Sequence, residues 1–213
     1  MNIQALANQY LQKLGRIPFV FILMAISLFF WLNGPSFFPD WEQSYGTVII
    51  YYIGMLLIFY VFSTTQTERK MDVPLNMAIF QFTIGFFISF FILLVLVKIG
   101  ILTPGLLPSA LVIPTLIMQF CIVAPAEELM FRGVLQSYTG IFVQAVLFAL
   151  WHSYAYGILW YQVDVFTGIA GIFIAFLFGL LMGVLSRHPM VGLPGTIAIH
   201  ATYNLVILGA LIP

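Results

Sequence analysis

The feature that most restricts this chain is a succession of apolar runs, each long enough to cross a bilayer and interrupted by few charges. A helix spanning the hydrocarbon core takes roughly 20 apolar residues, with a range of about 17–25. Runs that fit lie at 17–32, 46–63, 75–99, 111–136, 141–160, 165–186 and 191–212, the first being short and borrowing from its flanks. They are continuous, whereas barrel strands alternate in and out over about ten residues. Charged residues make up 7% of the chain and hydrophobic ones 62%, against about 25% and about 45–50% in a soluble domain. Polar groups therefore cannot cover a globular surface. Lys+Arg and Asp+Glu balance at 7 each, which leaves no basic footprint for nucleic acid. The same composition excludes a disordered scaffold. The expected fold class is all-α, a polytopic transmembrane helix bundle of about seven spans in contact with the lipid bilayer.

Residues 1–16 read as an amphipathic helix lying on the membrane. Ile3, Leu6, Tyr10, Leu11 and Leu14 recur at helical spacing, with Gln4, Asn8, Gln12 and Lys13 mostly elsewhere. A frayed tail is the plain alternative. No small-x-small cleavage site follows the first apolar run, so a signal peptide is not expected. Residues 17–100 hold three accessory spans, and 111–212 a four-helix core. With the N-terminus inside, Lys13, Arg16, Arg69, Lys70 and Arg187 face the cytoplasm, while Lys98 alone lies near the other side with Asp40, Glu42 and Asp164.

Charges inside a span are expensive and mark function or a structural ion pair. Glu127, Glu128 and Arg132 fall inside the fourth run, as Pro125-Ala126-Glu127-Glu128-Leu129-Met130-Phe131-Arg132. A helix turns about 100° per residue, so adjacent carboxylates are not expected to face one partner. Glu128 and Arg132, four apart, pair along one face. Glu127 then points to a neighbouring face, where it is either bonded to another helix or poised as a base. Pro125 removes a backbone hydrogen bond and favours a kink beside the carboxylates.

Partners for Glu127 come from two histidines, His152 in the fifth run and His200 in the seventh, with Asn204 one turn beyond His200. His188, after Arg187 and before Pro189, reads as a solvated loop residue. At the helical rise, Glu127, His152 and His200 lie about 14, 17 and 14 Å from the cytoplasmic ends of their runs. They therefore share a level in or near the cytoplasmic half.

A carboxylate, two imidazoles and a carboxamide in a water-poor bundle suit peptide hydrolysis, which needs a base to activate water and donors to hold the oxyanion. Glu and one His supply the first, His and Asn the second. The rival use is a zinc site on Glu, His and His. There is no His-Glu-x-x-His helix and no Gly-x-Ser-x-Gly elbow. The single cysteine, Cys121, permits no internal disulfide and reads as a small core residue. Glycines at 168, 171, 179 and 183 suit close helix packing, and Trp151 is placed to wall the site beside His152.

At these residues the sequence resembles the CAAX protease and bacteriocin-processing family, also called the abortive-infection family. Its pattern stands here as Glu127-Glu128-x-x-x-Arg132, Phe148-x-x-x-His152 and His200-x-x-x-Asn204, in order on successive helices over roughly 111–212. The resemblance implies a glutamate-dependent intramembrane protease related to the Ras-converting prenyl-protein endopeptidase, which removes the last three residues after a prenylated cysteine. By it, Glu127 and His152 activate water, His200 and Asn204 bind the oxyanion, and Glu128, Arg132 and Phe148 support the site. It requires no cofactor, and zinc ranks below no metal. The chain is shorter than the eukaryotic prenyl proteases, with seven spans rather than eight, which implies a prokaryotic cell-membrane member. Its substrate is then a CaaX-type peptide, another peptide or a membrane protein entering between helices. A non-catalytic scaffold or bacteriocin-immunity protein on the same fold is the alternative, and a proton-coupled transporter ranks below it because no inverted repeat is visible.

Overall fold

A computed structural model of the chain describes residues 73–105, 107, 109–159 and 165–209. The expected interfacial helix 1–16 and the spans 17–32 and 46–63 lie outside them. The described residues are helical, with no strand among them. Helix α1 spans Leu75–Lys98, α2 Ser109–Met118, α3 Ala124–Glu128, α4 Gln136–Leu159, α5 Val165–Leu185 and α6 Gly192–Ile207. Two π-helical segments, Gln119–Val123 and Leu129–Leu135, join α2 to α3 and α3 to α4.

Among the described residues, three stretches are long and apolar enough to cross a membrane: Leu75–Lys98, Leu111–His152 and Gly168–Leu185. The middle one is two limbs. Gly140, at φ 80° and ψ 178°, breaks the run where the sequence separates its fourth and fifth spans. Only glycine adopts that backbone readily.

Helix α1 is built inside-out compared with a helix of a soluble protein. Its buried residues are Gln81, Gly85, Ser89 and Leu93, one per turn, while Ile79, Phe87, Phe91, Ile92 and Val95 are exposed. Lipid tails are as apolar as leucine, so small and polar residues mark the faces where membrane helices meet. The α1 stripe packs on α6, where a Cβ on Gly85 would stand 2.9 Å from the Gly195 Cα. Gln81 Nε2 also donates to the Pro189 carbonyl at 2.8 Å, tying α1 to the turn before α6. Helix α1 ends in a Schellman arrangement around Gly100 (φ 76°), with Ile101 N–H on Leu96 O and Gly100 N–H on Val97 O.

Helix α4 packs most extensively on α5. Two of the predicted packing glycines lie at this contact, Gly179 against Ala145 and Gly183 against Ile141 and Gln144. The core gathers Ala126, Met130, Phe131, Val134, Leu135 and Phe148, on the segment that carries the carboxylates and the limb that carries His152.

Two expectations need correction. Helix α6 stops at Ile207, short of the expected 191–212, because Gly209 takes φ 76° and its N–H turns back to Val206 O. Cys121, in the π-helical segment Gln119–Val123, is exposed rather than a core residue.

Candidate active site

The site begins with a proline. Pro125 has no N–H to give the carbonyl one turn earlier, and the backbone takes π geometry over Gln119–Val123 immediately before it. A second π segment starts at Leu129. Such bulges are frequent at functional sites because they re-aim side chains within an otherwise regular helix. Between them, the short α3 presents Glu127 and Glu128, both buried.

Glu128 Oε1 lies 3.0 Å from Arg132 Nη1, and both side chains are fully buried, at 0% exposure. The expected i, i+4 pair is thus present. Glu128 Oε1 also lies 2.8 Å from His200 Nδ1. Glu127 Oε2 lies 3.5 Å from His152 Nε2 and 3.6 Å from His200 Nε2. The expectation that neighbouring carboxylates face different partners is therefore wrong for His200, whose ring has a nitrogen on each side and receives one carboxylate at each.

These contacts fix the tautomers. His152 Nδ1 is 2.9 Å from the Phe148 carbonyl, which only accepts, so that nitrogen carries the hydrogen. His200 Nδ1 donates in the same way to the Glu128 carboxylate. Both Nε2 atoms face Glu127 Oε2. Separations of 3.5 and 3.6 Å exceed a direct N–H···O bond of about 2.7–3.2 Å. The triangle is open enough for a small ligand to bridge it.

Phe148 organises the polar groups from the apolar side. Its ring stands edge-on to Phe131 at 5.1 Å and lies 4.1 Å from the His152 ring. The Arg132 guanidinium lies 4.2 Å from its centroid, a cation–π contact in a desolvated setting. Trp151 packs on Phe131 at 6.2 Å, walling the cluster from behind.

Asn204 stands apart from the carboxylates. Its Nδ2 donates to Gln119 Oε1 at 2.9 Å, leaving the second amide hydrogen available. It lines an open cavity of about 130 Å³ with His152, His200, Phe148, Ile174, Ala175, Phe178, Tyr203 and Ile207. His188 is exposed in the turn between α5 and α6, as expected.

Glu127, His152 and His200 each offer one ligand atom within 4.8 Å of the others. Ligands about 2.0–2.2 Å from a tetrahedral zinc stand roughly 3.3–3.6 Å apart, a spacing that the two Glu127–histidine separations match. The Glu128–His200 contact would orient one of the imidazoles.

Sequence reading missed Gln119 and Phe178. Gln119 had a signal, a carboxamide within an apolar run, but it has no charged residue or histidine at helical spacing to mark it as Asn204 has His200. Phe178 had none, one phenylalanine among 22.

The curated proteins give no match, and neither do the solved structures. Residues 108–206 match the family model of the Rce1-like type II CAAX prenyl endopeptidases. The matched segment contains both carboxylates, Arg132, Phe148, both site histidines and Asn204. Over that segment, a little under half of the chain, the protein is similar to the CAAX prenyl endopeptidases.

Proposed function

We propose that this protein is an intramembrane endopeptidase in which Glu127 and His152 activate a water molecule and His200 and Asn204 receive the oxyanion. The observation that carries the reading is the convergence of both His Nε2 atoms on Glu127 Oε2 at 3.5 and 3.6 Å, beside a cavity lined by His152, His200 and Asn204. A water between Glu127 Oε2 and His152 Nε2 gives up a proton to the carboxylate as its oxygen attacks the scissile carbonyl carbon. The carbonyl oxygen becomes an oxyanion, met by the Asn204 amide hydrogen not used by Gln119 and by the His200 ring. With Nδ1–H committed to Glu128, His200 donates through Nε2 and carries a second proton there when it does so. Collapse of the tetrahedral species breaks the C–N bond, and protonated Glu127 returns its proton to the departing amine.

The family supports a CaaX-type or other membrane-associated peptide as substrate. The excess of Lys and Arg on one side supports an inward N-terminus and a site in the cytoplasmic half. A second reading, zinc on Glu127, His152 and His200, is supported by the 3.5 and 3.6 Å separations of the two imidazoles from Glu127.

The test uses purified protein in detergent with a quenched peptide ending in a farnesylated CaaX box, alongside Glu127→Gln protein and a strong chelator. We expect cleavage by the wild type, loss in Glu127→Gln with the fold intact, and no effect of the chelator. Turnover retained by Glu127→Gln removes that residue from the mechanism. Loss with chelator, restored by zinc alone, puts the metal reading first.

A further inference from the structure

Gln144 is a fully buried amide, at 0% exposure, that the site does not use. Neither its Oε1 nor its Nε2 has a hydrogen-bond partner among the described residues. An amide in that state is costly. Buried polar side chains that no protein group satisfies are the usual anchors of internal water.

The surroundings of Gln144 supply the rest of a water site. Gly140 divides α4, with Gln136 on one limb and Gln144 one turn beyond the corner on the other. Both amides meet α5 at Gly183. A Cβ on that glycine would stand 3.1 Å from Gln144 Oε1 and 3.6 Å from Gln136 Oε1, so the two oxygens converge on one place. Two acceptors cannot bond each other and need a donor between them. Gln136 is itself half satisfied. Its Nε2 donates to Gly183 O at 2.9 Å, but the hydroxyl that faces its Oε1, that of Ser186, is 3.4 Å away. An O–H···O bond spans about 2.5–3.0 Å, and Ser186 gives its one hydrogen to Gly183 O at 3.0 Å instead.

We infer that Gln136 and Gln144, beside Gly183, form a binding site for an internal water that donates one hydrogen to each amide oxygen. It ties the two limbs across the Gly140 corner and, through the Gln136–Gly183 bond, to α5. The converging groups are neutral, and the Gln144 amide offers a donor as well as an acceptor, which suits water rather than a cation. Phe148 and His152 follow Gln144 by one and two turns on the same face of α4, so the water seats the limb that carries them. The inference stands on packing alone and does not rest on the endopeptidase reading.

Two measurements test it on the full chain. A structure at a resolution that shows ordered water is expected to place one water about 2.5–3.0 Å from both oxygens. A Gln144 amide bonded directly to Gln136, to another side chain or to nothing overturns the inference. Thermal unfolding in detergent gives the second test through its sign. Gln144→Met keeps the side-chain length and loses the amide. Where the amide anchors water, the variant leaves Gln136 Oε1 without its donor and the midpoint falls by about 2–4 °C. Where the amide is unsatisfied, an apolar replacement relieves it, so a midpoint that rises or stays where it is overturns the inference. Gln136→Met completes a double-mutant cycle. Two oxygens that interact only through a shared water should couple, so losses that simply add count against it. Should Gln144→Met not fold, the wild-type structure decides.

Discussion

His200 Nδ1 lies 2.8 Å from Glu128 Oε1, and the same carboxylate oxygen lies 3.0 Å from Arg132 Nη1. One buried carboxylate thus joins a cation on its own helix to an imidazole on α6. The ring's other nitrogen is turned toward Glu127 in consequence. In the proposed mechanism Glu128 sets the direction from which His200 approaches the reaction, while Glu127 acts as the base.

Arg132→Ala is expected to cost stability first. Breaking a buried pair from one side leaves an uncompensated charge, at about 3–5 kcal/mol. A double variant, Glu128→Gln with Arg132→Met, should recover much of that loss, because no charge is left stranded. Thermal unfolding of the variants in detergent measures this. An Arg132→Ala protein as stable as the wild type excludes the pair as a stabilising contact.

Asn204→Ala should lower kcat by about 10²–10³, the usual effect of losing one oxyanion donor, with little change in KM. Gln119→Leu removes the acceptor that holds the Asn204 amide at 2.9 Å and should reproduce part of the kcat loss. The two effects should not add, since both act on one amide. Independent, fully additive losses in the double variant would separate Gln119 from Asn204.

Much of this site was legible in the sequence. Charges are so sparse that Glu127, Glu128 and Arg132 singled themselves out, and a fixed helical rise put Glu127, His152 and His200 at one depth before any helix was packed. The rise says nothing about azimuth between helices, so His200 bridging both carboxylates was out of reach: a rule for one helix cannot foresee a ring inserted between its neighbouring residues. The π geometry around Pro125 was hidden for a related reason. A proline predicts a disturbed helix without saying whether it kinks or widens. Helix α6 was drawn too long because the apolar run continues past Gly209, whose positive φ depends on the turn that it makes.

Phe148→Leu tests the apolar support. It keeps a hydrophobic side chain of similar size but loses the ring 4.2 Å from Arg132 and 4.1 Å from His152. A desolvated cation–π contact is worth about 2 kcal/mol, so a lower unfolding midpoint is expected, together with reduced turnover as His152 loses the ring that seats it. Phe148→Tyr preserves the ring face and should retain more of both. Leu and Tyr variants that are equally stable would remove the cation–π contact from the account.

Gly85→Ala tests whether α1, which lies outside the family match, holds the site in place. The new Cβ would stand 2.9 Å from the Gly195 Cα and 3.0 Å from its carbonyl carbon. These are backbone atoms that cannot rotate away, so α1 must retreat from α6. Overpacking of this kind costs about 1–3 kcal/mol, and the displaced helix carries His200 and Asn204. The expected result is a lower unfolding midpoint and a fall in kcat, measured on one preparation. Ser89→Ala is the control on the same stripe. Its hydroxyl donates to Gly85 and Phe86 carbonyls of its own helix, so its removal should leave α6 where it is and turnover near the wild-type value. A Gly85→Ala protein with wild-type kcat would show that the α1–α6 contact does not position the site.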